Sequence, residues 1–329
     1  MIELIEKLTS INGASGNEQE LAKAISEIIA PNVDEIQQDS MGNLICVKKG
    51  TGKKVMLAAH MDEVAVIITH IEDNGFLRFA PLGGINHFYS LYQKVAFDNG
   101  TVGVIAHEEN IPEIKDIKIS NLYIDIGCKN SEEASNKIKI GDSGVFIGRF
   151  VYDGAKIISK ALDDRCGCAI LLELSKKLKD CENEIIYAFT TQEEVGLRGA
   201  KTAGYSVNPD FALVLDVTAP GDTPKSKPSP IKCGYGPIIK IMDNASIINP
   251  KLKNLIIETA EKEKIPYQLK VANVGGTDAG AISLVREGIP TASLAIPCRY
   301  LHSPAEMVDV EDVKNMIKLV EAVIRNIKE

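Results

Sequence analysis

Short hydrophobic runs that end in polar or charged side chains recur along the chain. Residues 185–189 (IIYAF) are apolar and rich in β-formers, the pattern of a strand buried on both faces. The run gives out in Thr190, Thr191 and Gln192, then in two adjacent acids, Glu193 and Glu194. Alone, such a pair reads as an exposed acidic turn. Carboxylates at the end of a buried strand instead need partners, because unpaired buried charge is prohibitive. Four other segments repeat the arrangement. Residues 55–59 (VMLAA) lead into His60 and Asp62, and 211–215 (FALVL) end in Asp216. Residues 291–296 (TASLAI) are followed by the short loop PCRYL and His302, and 157–162 lead to Asp163 and Asp164 before a helical pattern.

In an open α/β sheet, ligands sit in the crevice outside the carboxyl ends of the strands. Five such ends would therefore bring His60, Asp163, Glu194, Asp216 and His302 to one place. Two neutral imidazoles with three carboxylates suit a pair of borderline divalent ions such as zinc or cobalt. Two dications bring four positive charges, which three carboxylates and one hydroxide would balance.

The remaining pattern divides the chain. Residues 2–11 read as an amphipathic helix ended by Asn12-Gly13, and Ser15 is expected to cap a second helix over 18–30, stopped by Pro31-Asn32. Strands follow at 43–48 and 55–59, separated by the turn 49–52. From about residue 66 to 155 the rhythm changes to short β-like runs. Turns at 73–75, 83–84, 98–100 and 141–144 separate them, and only 131–136 reads as helical. That spacing predicts a small β-barrel or sandwich. α/β alternation resumes after Leu162, with helices at 164–179, 251–263 and 310–327 and a strand at 267–272. The Gly-rich loop 273–280 should open a helix reaching Glu287. It lacks the Lys of a P-loop and reads equally as a tight turn or a substrate contact. A β domain over 66–155 is thus inserted into a discontinuous α/β domain, 1–65 and 156–329, with every candidate ligand outside the insert. His70, His87 and His107 fall inside it, and structural or surface roles are expected for them. His87, beside Gly83-Gly84, is kept as a neighbour of the site. The Pro-rich stretch 223–230 reads as a surface loop.

Composition narrows the function classes. At 329 residues, 45% of them hydrophobic, the chain can bury a sizeable core. A net charge of −8 argues against nucleic acid or an anionic membrane as the main partner. The sequence has neither a long apolar run nor a basic, apolar leader at its start, so a soluble cytoplasmic protein is expected. Seven cysteines without a C-x-x-C pair read as reduced structural thiols.

Six motifs then stand in order: AHMDEV at 59–64, KALDDRCG at 160–167, TTQEEVGLRGA at 190–200, LDVTAPGDTP at 215–224, GGTDAG at 275–280 and PCRYLHSPAE at 297–306. Together they resemble the tetrahedral (TET) family of di-metal aminopeptidases, whose members are also called glutamyl, leucyl or deblocking aminopeptidases and sometimes endoglucanase. The resemblance runs from NGASGNE at 12–18 to the last helix. It implies an α/β fold, a mixed-sheet zinc-peptidase-like catalytic domain with an inserted small β-barrel (PDZ-like) domain. It also implies that His60 and Asp216 bind one of two divalent ions, that Glu194 and His302 bind the other, and that Asp163 bridges them. Asp62 would orient His60, Glu193 would be the general base, and Thr277 and Asp278 would lie near the substrate. Ala65 departs from the family, which usually carries Gly there. The inserted domain would pair subunits into dimers, six of which close into a hollow dodecamer that admits only peptides.

The implied chemistry is two-metal activation of a water, with Glu193 taking its proton and passing it to the leaving amine. Neighbouring strand residues point to opposite sides, so one acid of the Glu193-Glu194 pair can coordinate while the other stays free. A glycoside hydrolase of endoglucanase type would also use two carboxylates. It would have no use for His60 and His302, and the chain has no tryptophan to stack a sugar. A non-catalytic metal- or peptide-binding shell would not require the base.

Overall fold

The computed structural model describes residues 1–111, 113–226 and 229–327. Of the Pro-rich stretch 223–230, residues 227 and 228 lie outside the described residues. An 11-stranded mixed sheet forms the backbone of the molecule. Its path runs Glu35–Gln38, Leu44–Lys48, Glu184–Thr190, Lys54–His60, Phe211–Thr218, Thr291–Arg299, Glu306–Asp309, Lys156–Ser159 and Val151–Tyr152. Ile238–Met242 branches from Thr291–Arg299 and carries Gln268–Val271 beside it. Four adjacent central strands, from Glu184–Thr190 to Thr291–Arg299, are parallel. Their carboxyl ends therefore lie along one edge.

Side-chain alternation with a period of two builds a core on each face of that sheet. Val55, Leu57 and Ala59 enter one core, with Ile185, Tyr187, Phe189, Leu213 and Leu215. The helices Ile2–Ser10, Gln19–Ile29, Leu162–Lys177, Pro250–Lys262 and Val310–Asn326 cover it. Met56, Ala58, Ile186, Ala188, Ala212 and Val214 enter the other, under Arg198–Val207 and Asp278–Ile282. His60 and Asp216 continue the even-numbered series on two adjacent strands, so both side chains leave the same face.

A closed barrel occupies Ala65–Ile71, Leu77–Leu82, Leu122–Asp125, Val102–His107, Lys94–Phe97 and Ser143–Phe146, in that spatial order. Val66, Ile68, Leu77, Phe79, Val95, Phe97, Ile105 and Ile124 fill it. A Cβ on Gly103 would lie 2.4 Å from Ile124 Cγ2, so only glycine permits that approach. The chain leaves the large sheet after His60 and rejoins it at Val151–Tyr152. Ala65, at the barrel's start, is buried with Ala14 and Val145.

Beneath the site, Arg165 is wholly buried and fully used. It donates to the carbonyls of Leu8, Ile11 and Met61, and lies 3.3 Å from Glu63. Lys160 grips the same Glu63 at 2.7 and 2.8 Å. This three-charge cluster ties the first helix to the segment between His60 and Asp62.

Several expectations are corrected. Ser15 does not cap the second helix, which starts at Gln19; its hydroxyl donates to Asp62 Oδ2 at 2.6 Å instead. The helix after the Gly-rich loop spans only Asp278–Ile282, and the left-handed backbone at Arg286 bars any continuation to Glu287. Pro297, Cys298 and Arg299 belong to a strand and not to a loop. Glu35–Gln38 was illegible because it is an exposed edge strand with no apolar pattern. The buried face of Arg198–Val207 is mostly Gly199, Ala200, Ala203 and Gly204, too small to register as a hydrophobic stripe.

Candidate metal centre

Two strands and the segments just beyond three others deliver a compact donor cluster. His60 and Asp216 lie in strands, and Glu194 and His302 lie in the connections after theirs. Asp163 stands in the first turn of Leu162–Lys177, since the expected strand over 157–162 ends at Ser159. His60, the last residue of its strand, places Nδ1 3.1 Å from the Asp62 carbonyl and 3.4 Å from Asp62 Oδ1. With Nδ1 donating there, the neutral ring presents Nε2 as the free lone pair. That atom is 3.0 Å from Asp163 Oδ1. The other Asp163 oxygen is 3.5 Å from His302 Nε2, which is also 3.3 Å from Glu194 Oε1. His302 Nδ1 donates to the Gly84 carbonyl at 2.9 Å, so its Nε2 is likewise left free. Asp216 accepts from the Val217 amide at 2.6 Å through Oδ1 and lies 3.9 Å from Lys240 Nζ through Oδ2. Donor atoms of His60, Asp163 and Glu194 lie within 4.8 Å of one another, and so do those of His60, Asp164 and Asp216.

The electrostatics show a cluster short of positive charge. Burial opposes protonation of His60, but hydrogen bonds to Asp163 and Asp62 outweigh it and hold the ring well above its usual pKa. His302 is pushed to about 12; burial opposes this too, against Asp163 and Glu194. Asp163 is held low, since both imidazoles outweigh its burial. Burial raises Glu193 well above the carboxylate range, raises Glu194, and lifts Asp216 to about 6. His60, Asp163, Glu193, Glu194, Asp216 and His302 all line one cavity of about 430 Å³. Its remaining wall comes mainly from Lys240, Met242, Lys270, Ala272 and the loop Val274–Gly276.

Residues 42–319 match the model of the M42 glutamyl aminopeptidase family. The chain belongs to that family. A provisionally named aminopeptidase of Acetivibrio thermocellus is 49% identical over 324 residues, 98% of each chain. An aminopeptidase structure from the archaeon Desulfurococcus kamchatkensis superposes with a TM-score of 0.95 at 40% identity, covering 99% of this chain and 95% of that one. The Pyrococcus horikoshii TET1 peptidase, which can assemble into a tetrahedron or a large octahedral shell, matches with a TM-score of 0.89 at 34% identity over 99% of both chains. The fold is thus that of the TET aminopeptidases, and the chain is a hydrolase acting on peptides.

Around this donor cluster, three supports escaped the sequence reading. Asp62 holds more than His60: its oxygens accept from the Glu193 amide at 2.9 Å, the Glu194 amide at 3.2 Å and Ser15. Glu306, buried in the HSPAE motif, accepts from the Asp163 amide at 3.0 Å and the His302 amide at 2.7 Å. Gly84 shows that the barrel segment reaches the site although it supplies no donor side chain. A Cβ there would stand 3.0 Å from His302 Nδ1, and Gly83 has φ +87° against Glu194. The Gly-Gly pair was the available signal.

Other candidates sit elsewhere. Thr277 caps the short helix through the Ala279 amide and is buried; Asp278, also buried, accepts from Thr190. Neither lines the cavity, where Gly275 and Gly276 stand instead. Asp164 is buried beside His60 and Asp216 with one oxygen unpartnered, and neither it nor His87 is among the lining residues. The seven cysteines are unpaired thiols, five of them buried. Among the described residues no helix is long and apolar enough to cross a membrane.

Glu306 fixes the backbone of two donors, so its loss should appear in metal affinity. Glu306→Ala is expected to weaken metal binding about 10–100-fold, the range for removing an outer support of a ligand. Glu306→Gln, which keeps one acceptor oxygen, should lose less. Equilibrium dialysis of both variants checks this.

Proposed function

We propose that the protein is a metal-dependent aminopeptidase that uses two divalent ions, zinc or cobalt, and Glu193 as general base. The carrying observation is the Asp163 carboxylate, which offers one oxygen to each imidazole Nε2. The donor set fits such ions: both free imidazole nitrogens and the surrounding carboxylates suit borderline divalent cations. We assign His60 and Asp216 to one ion, Glu194 and His302 to the other, and Asp163 to both. Asp164 is near His60 and Asp216, but it does not line the cavity. Bound there, the ions supply Lewis-acid activation of a water and of the scissile carbonyl.

The chain's own residues do the rest. Glu193 takes the proton of the attacking water and returns it to the leaving amine. Asp62 holds the Glu193 amide and the His60 ring together, so base and donors keep a common frame. The barrel over Ala65–Phe146 pairs subunits, and the dimers close into a tetrahedral dodecamer with inward-facing sites, as the shell-forming structural neighbour supports. Seven unpaired thiols fit the reducing cytoplasm as its location.

The test is hydrolysis of aminoacyl anilides by the cobalt-loaded protein, with N-acetylated anilides and carboxymethylcellulose as controls. Cleavage confined to free α-amino substrates is expected. Cleavage of the acetylated series would remove the aminopeptidase reading, and cellulose cleavage alone would replace it. Light scattering that shows only monomer would remove the assembly.

A further inference from the structure

The motif NGASGNE, residues 12–18, supplies no metal donor, yet it packs against the segment that carries Glu193 and Glu194. Its backbone turns tightly: the Asn17 amide donates to the Ala14 carbonyl at 2.7 Å, and Gly16 has φ +88°. Glycine takes that left-handed angle without steric cost. The Glu63 amide ties the turn down by donating to the Gly13 carbonyl at 2.9 Å. Glu18 follows, only 3% exposed. It stands just before the helix Gln19–Ile29, but its side chain does not cap that helix. Its Oε1 accepts instead from the Gly16 amide at 2.8 Å and, 174 positions away, from the Gln192 amide at 3.1 Å.

The Gln192 contact belongs to a series. The strand ends at Thr190, and the amides beyond it need partners outside the sheet. Four consecutive ones find side chains. Asn43 Oδ1 holds the Thr191 amide at 3.0 Å, Glu18 holds Gln192, and the two oxygens of Asp62 hold Glu193 and Glu194. Gln192 has φ +56°, a left-handed backbone that a residue with a side chain keeps only where its surroundings impose it. Its carbonyl accepts from the Arg198 amide at 3.2 Å, and Glu18 is the partner of its own amide. The Glu193 carboxylate lines the cavity with no hydrogen bond restraining it among the described residues. Its direction is therefore set by the backbone just before it.

We propose that Glu18 is a positioning residue for the general base: by holding the Gln192 amide, it fixes the left-handed turn that aims the Glu193 carboxylate at the attacking water. The inference rests on Glu193 being that base. Glu18 acts through one backbone bond, so the reach of its oxygen matters and its charge does not. Burial, reinforced by the nearby Asp62 carboxylate, raises Glu18 to about 7. Ionised and neutral forms thus both occur near neutral pH, and Oε1 can accept in either.

Three substitutions at Glu18, made in the wild-type and in the Glu193→Gln protein, test this with cobalt-loaded enzyme and an aminoacyl anilide. Glu18→Ala removes the acceptor and should lower kcat by about 10- to 100-fold, the upper figure being the loss that a displacement of about 1 Å brings. KM and metal content should hold. Glu18→Gln keeps the reach without the charge and should recover most of the rate. Glu18→Asp keeps the charge but is a methylene shorter, and should fall close to Glu18→Ala. If Glu18→Ala does not fold, the Gln and Asp pair carries the test. In the Glu193→Gln background none of the three should lower the residual kcat further, because the base they aim is gone. Full rate in Glu18→Ala overturns the inference, as does Glu18→Asp equalling or exceeding Glu18→Gln. Metal lost in step with rate, or the same fold-loss in both backgrounds, overturns it too. A Glu193→Gln variant that keeps the wild-type rate removes the base itself, and the inference with it.

Discussion

Dialysis against a strong chelator is expected to abolish peptidase activity, and added cobalt or zinc to restore it. The reason lies in how little the side chains can do alone. Asp163, with its carboxylate held low between two imidazoles, has no proton to give. Burial raises Glu193 and Glu194, and against burial the neighbouring carboxylates raise His60 and push His302 to about 12, so the cation-free cluster favours protonated imidazoles. Cations would displace those protons from His60 and His302 and restore the free Nε2 lone pairs. Metal uptake should therefore release protons, measurable in weakly buffered solution. It should also stabilise the fold, by about 2.7 kcal/mol when free metal is a hundred times the dissociation constant. His60→Ala and His302→Ala should lower metal content together with rate. Full activity in protein that elemental analysis shows to be free of metal would contradict the assignment.

Strand periodicity made much of the fold legible. The run 55–59 could be read as a buried strand because both of its faces are apolar, and the structure sends Leu57 and Ala58 into different cores. His60 and Asp216 were findable because a polar residue closing such a run is locally conspicuous. Glu306 was not, since its partners are the amides of Asp163, 143 positions away, and of His302. A backbone hydrogen bond leaves no trace in side-chain pattern. Ser15 shows the same gap: a serine before a helix reads as a cap, and only the fold brings Asp62 within 2.6 Å of it. Lys240 was hidden differently. In IIKIM it looks like a solvated interruption of an apolar run, yet its strand is covered on one face by core and on the other by the cavity.

The two adjacent acids should fail in different ways when each is changed to its amide. Both Glu193 and Glu194 are anchored by their amides to Asp62, so the backbone frame is common to them. Their side chains diverge: Glu194 reaches His302 at 3.3 Å, while no hydrogen bond holds the Glu193 carboxylate among the described residues. A free carboxylate facing the cavity suits proton transfer, and one against an imidazole donor suits coordination. Glu193→Gln keeps size and hydrogen bonding but cannot accept a proton. It is expected to leave both metals bound and lower kcat by about 10²–10⁴-fold, the usual contribution of general acid–base catalysis. KM should change little, because glutamine keeps the size of the side chain it replaces and the rest of the cavity lining is unchanged. Glu194→Gln replaces a charged oxygen donor with a neutral one, so one metal should weaken first, and excess metal should recover part of the rate. No metal concentration should recover Glu193→Gln. Metal stoichiometry and kcat for both variants, followed across one metal titration, separate the roles. If Glu193→Gln loses metal while Glu194→Gln keeps both ions, base and ligand are exchanged.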